Sequence, residues 1–295
     1  METPFEIVLP AGYRRQDVLA FHSRDAEAVA EQVGPDGLRK GVLLGGVATV
    51  LAVAFDEFSA HCTVDADGEL TPALLARAHE ALLNILGLRI DPAAFGSFVC
   101  DDPLLGPLVA RQPGLRIVQS ATVFEALTWA IIGQQINLSF AIALRRSFIQ
   151  LAGRRHASGL WCYPEAGDVA RVALDELLSR KFSRAKAETL LRLAQLVNDG
   201  TVALERERPI AGFVQELLAI KGIGPWTVNY ALLRGIGYPD CSLHGDVAIR
   251  TAFHHLLGGA ERPDIPATEA LLARYAPHRT MAAAYLWASL ADDSD

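Results

Sequence analysis

LLAIKGIGPWTVNYALLRGIGYPDCSLHGD, residues Leu217 to Asp246, decides how this chain is read. An apolar helical run ends at Ile220. Lys221, Gly222, Ile223, Gly224 and Pro225 make a tight turn, and a second helical run follows from Trp226 to Leu233. Gly222 and Gly224 permit backbone angles that side chains forbid and let another backbone approach closely. Pro225 suits the first turn of a helix, where its missing N–H costs nothing. The free N–H groups of that turn make a seat for a phosphate, which holds a nucleic acid without reading its sequence. A Gly- and Pro-rich loop then delivers Asp246 just before a third helix.

Outward from that stretch the chain divides by pattern. FEIVL near the start, Arg39–Phe55 broken at Gly45–Gly46, and Phe58–Val64 ending in the turn Asp65–Gly68 predict a small antiparallel sheet. An amphipathic run covers Gln16–Phe21. Ala73–Leu86 has helical periodicity and predicts a cover for one sheet face. From Asp101 the pattern is helical throughout. The spacing predicts helices over Pro103–Arg111, Thr122–Gln134, Leu138–Ala152, Leu174–Leu178, Arg184–Asp199, Gly212–Ile220, Trp226–Arg234, Asp246–Leu256, Ala267–Tyr275 and Thr280–Leu290. The expected fold is α+β and mostly α. Residues 1–102 form an N-terminal α/β part with an antiparallel sheet. Residues 103–295 form an all-helical core, with the hairpin at about 212–234. Residues 291–295 are expected to fray.

The 295 residues are 51% hydrophobic, ample for a buried core. No apolar run is long enough to span a bilayer, and METPFEIVLPAGY does not read as a signal peptide. Cys62, Cys100, Cys162 and Cys241 lack metal-ligand spacing and predict reduced thiols in a cytoplasmic protein. The net charge of −7 argues against nucleic acid, but its distribution does not. Residues 1–102 carry 7 basic against 16 acidic side chains, while Arg111–Arg192 carries 12 against 6. Arg145, Arg146 and the RRH run at 154–156 read either as phosphate contacts or as a solvated face.

The hairpin, its Gly/Pro loop and Asp246 resemble the helix-hairpin-helix DNA glycosylases. IKGIGPWTVNYALLRG carries the likeness most closely. It is most similar to their bacterial alkylation-repair branch, the DNA-3-methyladenine glycosylase II type, and extends from Tyr13 to about Trp287. The resemblance implies a base excision repair enzyme that flips damaged nucleotides from double-stranded DNA, acting as a monomer in the bacterial cytoplasm. It implies excision of 3-methyladenine and of 7-methylguanine. Alternative readings are a glycosylase for hypoxanthine or oxidised bases, and a non-catalytic helix-hairpin-helix DNA-binding protein.

Asp246 matches the family's catalytic Asp; by position alone it is also an ordinary helix N-cap. A fixed carboxylate stabilises the positive charge that builds on the sugar as the N-glycosidic bond breaks. Bifunctional glycosylase/lyases carry a nucleophilic Lys at the position of Trp226, and tryptophan cannot form a Schiff base. This implies a monofunctional enzyme with water as nucleophile. Trp226, Tyr230, Trp287 and Phe21 match the family's aromatic pocket, where ring faces attract a cationic base; core packing is the plainer reading. The resemblance sets Gly222, Gly224, Thr227, Gln134 and Gln135 against DNA. Gln135, within GQQI at 133–136, falls where the family places an intercalating wedge, or is a polar helix end. The backbone carbonyls of Leu218, Ile220 and Ile223 match those that hold a monovalent cation, Na+ or K+. No other cofactor is implied, and the four-cysteine iron–sulfur spacing of endonuclease-like relatives is missing. His244, His254 and His255 read as structural.

Overall fold

In the computed structural model, which describes residues 2–292, the two expected parts are both present. Strands β1 (Glu2–Val8), β2 (Glu31–Gly34), β3 (Gly37–Leu44), β4 (Val47–Phe55) and β5 (Ser59–Ala66) form one antiparallel sheet in the order β1-β5-β4-β3-β2. The β3–β4 hairpin turns at Gly45 and Gly46, both at positive φ (59° and 79°), as a two-residue turn requires. Helix α1 (Arg15–His22) links β1 to β2. β2 was not legible in the sequence: it is four residues long, too short to show alternation. Helix α2 (Pro72–Ile85) buries Leu74, Ala78, Ala81, Leu82 and Ile85 along one face, and Thr71 caps it by accepting the Leu74 N–H at 3.2 Å.

The rest is helical: α3 (Pro92–Phe98), α4 (Gly106–Arg111), α5 (Val123–Gly133), α6 (Leu138–Ala152), α7 (Ala166–Val169), α8 (Leu174–Ser179), α9 (Arg184–Asn198), α10 (Ile210–Leu218), α11 (Pro225–Ala231), α12 (Val247–Leu257), α13 (Ile265–Ala273) and α14 (Arg279–Asp292). α14 runs through two of the five tail residues expected to fray; residues 293–295 lie outside the described residues. α3 and α7 went unseen, and so did a two-stranded ribbon, β6 (Arg154–Arg155) with β7 (Trp161–Cys162). The ribbon returns to the sheet. The Tyr163 N–H donates to the Gly41 carbonyl, and the Leu43 N–H to the Tyr163 carbonyl. β3 therefore continues past the end of β2 on a piece of chain 120 residues away.

The two parts are also joined by buried charge. Lys40 on β3, 1% exposed, donates to Glu31 at 2.6 Å and to Glu125 of α5 at 2.8 Å. Arg145 of α6 reaches the same two carboxylates at 2.7 and 2.8 Å. Arg146 pairs with Asp25 at 2.6 Å and Glu27 at 2.5 Å. The suggested phosphate contacts Arg145 and Arg146 therefore face inward. The RRH run is also engaged: Arg154 lies 3.6 Å from Asp168, Arg155 stacks on Trp161, and His156 is buried 3.2 Å from Asp67. Arg145 and Arg146 thus place two of the middle stretch's basic charges against carboxylates of the acidic N-terminal part.

Candidate active site

The hairpin is built as the glycines and proline predict. α10 ends at Leu218, and the Ile223 N–H donates to the Ile220 carbonyl at 3.0 Å. α11 opens at Pro225 with Gly224 in the cap position and no side chain capping it. The two glycines differ in what they serve. Gly222 has φ +98°, and a Cβ there would lie 2.0 Å from the Thr189 hydroxyl on α9. Gly224 has nothing within 4 Å of a Cβ position. The fold requires the first glycine; the second leaves open space beside the uncapped helix end.

α9 buttresses this turn, which local pattern did not show. Arg192 donates to the Lys221 carbonyl at 3.0 Å, and Thr189 approaches the same oxygen at 3.4 Å. Lys186, buried on the same helix, donates to the Ile132 carbonyl near the end of α5 at 2.7 Å. A cation satisfying terminal carbonyls stabilises a helix end. We expect Gly222→Ala to destabilise the protein by about 1–3 kcal/mol from backbone strain alone, before the clash is counted. Thr189→Ala in that background should recover part of the loss, because it removes the nearest atom but not the strain. Melting temperatures of the four proteins in this cycle check it; an undisturbed Gly222→Ala protein would disprove the packing of the turn on α9.

The loop that carries Asp246 is held at several points. Arg279 grips Asp240 bidentately at 2.7 and 2.8 Å, and the Cys241 N–H donates to Thr280 at 2.9 Å. The Ser242 N–H donates to Asn229 of α11 at 3.1 Å. Burial pushes the Cys241 thiol up to about 12, so it is inert at neutral pH.

Asp246 caps α12. Its Oδ1 accepts the Ala248 and Ile249 N–H groups at 2.9 and 3.1 Å. Two indoles converge on the same carboxylate: Trp226 Nε1 donates to Oδ2 at 2.8 Å, and Trp287 Nε1 to Oδ1 at 3.2 Å. Both tryptophans were expected only as ring walls. Their edges orient the carboxylate, and their faces continue the aromatic cluster. Trp226 and Tyr230 have centroids 5.2 Å apart, Tyr230 and Trp287 6.5 Å. Trp129 of α5, which no sequence signal marked, donates to the Tyr230 hydroxyl at 2.9 Å.

Behind Tyr230 the helix changes pitch. Leu232–Ile236 is one π turn where a regular helix to Arg234 was expected. Such turns recur at functional sites. Here it accompanies Arg234, whose guanidinium lies 4.8 Å from the Phe21 ring and 5.6 Å from Trp287. Burial holds the Arg234 pKa below its usual value. Phe21 thus joins the cluster through an arginine.

An open groove runs past the carboxylate, lined among others by Gln135, Asn137, Gly224, Pro225, Asp246 and Val247. Gln135 is exposed at φ +55°, a backbone region a non-glycine residue enters rarely and often at functional positions. Gln134 and Thr227 also line this groove and are bonded to each other. Thr227 is buried at 2% exposure, and Gln134 donates to its hydroxyl at 3.0 Å and to the Gly222 carbonyl at 3.1 Å. They tie the GQQI turn to the hairpin. Among the described residues there is no cluster of His, Cys, Asp or Glu fit for a metal. His244 meets Ser242, and His254 and His255 lie in the last turn of α12.

A helix-hairpin-helix followed by an N-capping aspartate in an α+β frame defines a class. Residues 128–278 match the HhH-GPD superfamily of base excision DNA repair proteins, and the chain belongs to that superfamily. Among its relatives is the Putative DNA-3-methyladenine glycosylase YfjP of Bacillus subtilis. The two are 30% identical over 191 residues, 63% of this chain and 65% of that protein, so the match spans just under two thirds of the relative's own length. The fold is shared with the 3-methyladenine DNA glycosylase from Archaeoglobus fulgidus, at TM-score 0.80 and 22% identity over 96% of this chain and 97% of that one. It is shared also with the 8-oxoguanine glycosylase/lyase of Clostridium acetobutylicum, at TM-score 0.76 and 13% identity over 100% and 99%.

Proposed function

We propose that this chain is a monofunctional DNA glycosylase that flips alkylated purines, chiefly 3-methyladenine and also 7-methylguanine, out of duplex DNA and hydrolyses their N-glycosidic bond. The observation that carries the reading is the convergence of both indole N–H groups on Asp246. An N-cap alone needs no such partners. Oδ1 accepts three of the four bonds and Oδ2 one. Oδ2 therefore keeps lone pairs to face a sugar. As the bond from C1′ breaks, its electron pair leaves with the base, and Asp246 stabilises the charge on the sugar. A water oxygen then bonds to C1′ and releases a proton, for which Asp246 is the acceptor. A cationic methylated purine departs neutral and needs no general acid.

In this reading the open face at Gly224 seats a DNA phosphate, Gly222 shapes the turn behind it, and Gln135 fills the space of the flipped base. Gln134 and Thr227 position that wedge. The Leu218, Ile220 and Ile223 carbonyls lie at the hairpin turn and would hold a monovalent cation against the same phosphate; the Ile220 oxygen also accepts a backbone N–H.

The test is release of free base from methylated duplex. Release of 3-methyladenine, with strands left uncut until alkali is added and no borohydride-trapped adduct, is the expected result. A trapped adduct would overturn the monofunctional mechanism, and DNA binding without release the alkylpurine reading. We also expect Trp226→Phe, which keeps a ring but loses the donor to Oδ2, to lower the single-turnover rate about 10- to 100-fold, the worth of a hydrogen bond to a charged group. An unchanged rate would remove Trp226 from the role of positioning Asp246.

A further inference from the structure

The aromatic cluster already contains cations. The Arg24 guanidinium lies 3.8 Å above the Phe21 ring, and Arg234 lies 4.8 Å from the same ring. Phe21, Arg24, Arg234 and Trp287 line one open cavity. Arg24 also lines a second, smaller cavity, with Trp129. The two arginines are held differently. Arg234 donates to the Val118 carbonyl at 2.5 Å, and its own carbonyl accepts the Ser120 N–H. Arg24 is exposed and follows directly on Ser23, the residue that closes α1. No carboxylate among the described residues lies within 4.0 Å of it. Its guanidinium is set over the ring face of Phe21.

We propose that Arg24 is a specificity-determining residue: its guanidinium competes with a positively charged base for the face of Phe21, so the pocket discriminates by charge against cationic purines. The inference rests on the glycosylase reading of the site. A ring face attracts one cation at a time, and a second cation brought beside it meets repulsion. A cationic base must displace Arg24 and still sit near Arg234. A neutral 6-oxopurine escapes the repulsion and offers O6 and N7 as acceptors to a guanidinium. The rings attract methylated purines, and the arginines oppose the charge of those same bases.

The experiment compares 7-methylguanine and hypoxanthine in duplex DNA, which share the 6-oxo group and differ in charge. Single-turnover excision of each is measured with the wild type, Arg24→Met and Arg24→Lys. The methionine variant is expected to raise the ratio of 7-methylguanine to hypoxanthine excision by about tenfold, the scale of a like-charge contact near a protein surface. The lysine variant, which keeps a cation on the ring, is expected to hold the wild-type ratio. If methionine changes both rates alike, or lowers the ratio, Arg24 acts by shape and the proposal falls. If the wild type releases neither base, the glycosylase reading fails on its own. Tryptophan fluorescence titration then decides the proposal, with 1-methyladenosine as the cationic probe and inosine as the neutral one. Tighter binding of the cation alone in Arg24→Met supports it, and equal change or no change in both overturns it.

Discussion

Asp246→Asn is expected to lower base release by about 10²–10³-fold, the scale for losing one preorganised electrostatic partner of a transition state. The fold should survive. Asparagine caps helices as well as aspartate, so the bonds from Ala248 and Ile249 persist. One of the two indoles, however, must then face an amide N–H₂ instead of an oxygen. A melting temperature within a few degrees of the wild type, duplex affinity retained and release lost is the expected pattern. Full release by the asparagine protein would sink the mechanism. Collapse of the fold would mean that Asp246 serves the loop more than the chemistry.

The second large effect lies in the buried charges. Lys40→Met should destabilise the protein by about 3–5 kcal/mol, because it leaves Glu31 and Glu125, both buried, to share Arg145. Thermal unfolding should show a fall on the order of 10 °C. The pH dependence separates this from loss of packing. Burial alone would raise both glutamates. In Glu31 the Arg145 and Lys40 charges outweigh it, and in Glu125 those of Lys40 and Arg145 do, so both lie below the usual carboxylate range. Groups depressed on folding contribute stability above their unfolded value, about 4.3, and lose it as pH falls below. The wild type should therefore weaken steadily below about pH 4.3. In the methionine variant burial is no longer outweighed for one glutamate and raises it above its unfolded value, so the variant's deficit should shrink as protonation sets in on acidification from pH 7 to pH 5. A constant deficit across that range would assign the loss to packing.

Much of this molecule was legible in the chain. The hairpin follows from two glycines and a proline whose roles are local, and Asp246 follows from its spacing after them. The sheet follows from alternation and the Gly45–Gly46 turn. What stayed hidden depends on partners far away in sequence. Arg145 and Arg146 read as surface charge because Glu31 and Asp25, which hold them, lie 114 and 121 residues upstream. Trp129 and Arg24 acquire meaning only beside Tyr230 and Phe21. The tryptophan N–H groups were passed over because a ring suggests stacking first, and the direction of an indole edge is set by tertiary packing. The π turn at Arg234 leaves no mark in helical periodicity.

α9 holds the Ile132 carbonyl behind the GQQI turn with one side chain and the Lys221 carbonyl of the hairpin with another. The GQQI turn and the hairpin thus hang from a single rod. On the glycosylase reading proposed above, the molecule would meet a duplex as a calliper whose two tips are tied to one helix before any lesion is found. Little ordering of the protein is then left for the moment of recognition, and the yielding has to come from the DNA. A base pair weakened by damage unstacks at lower cost than an intact one. Part of the search for damage would in this way be handed to the mechanics of the double helix.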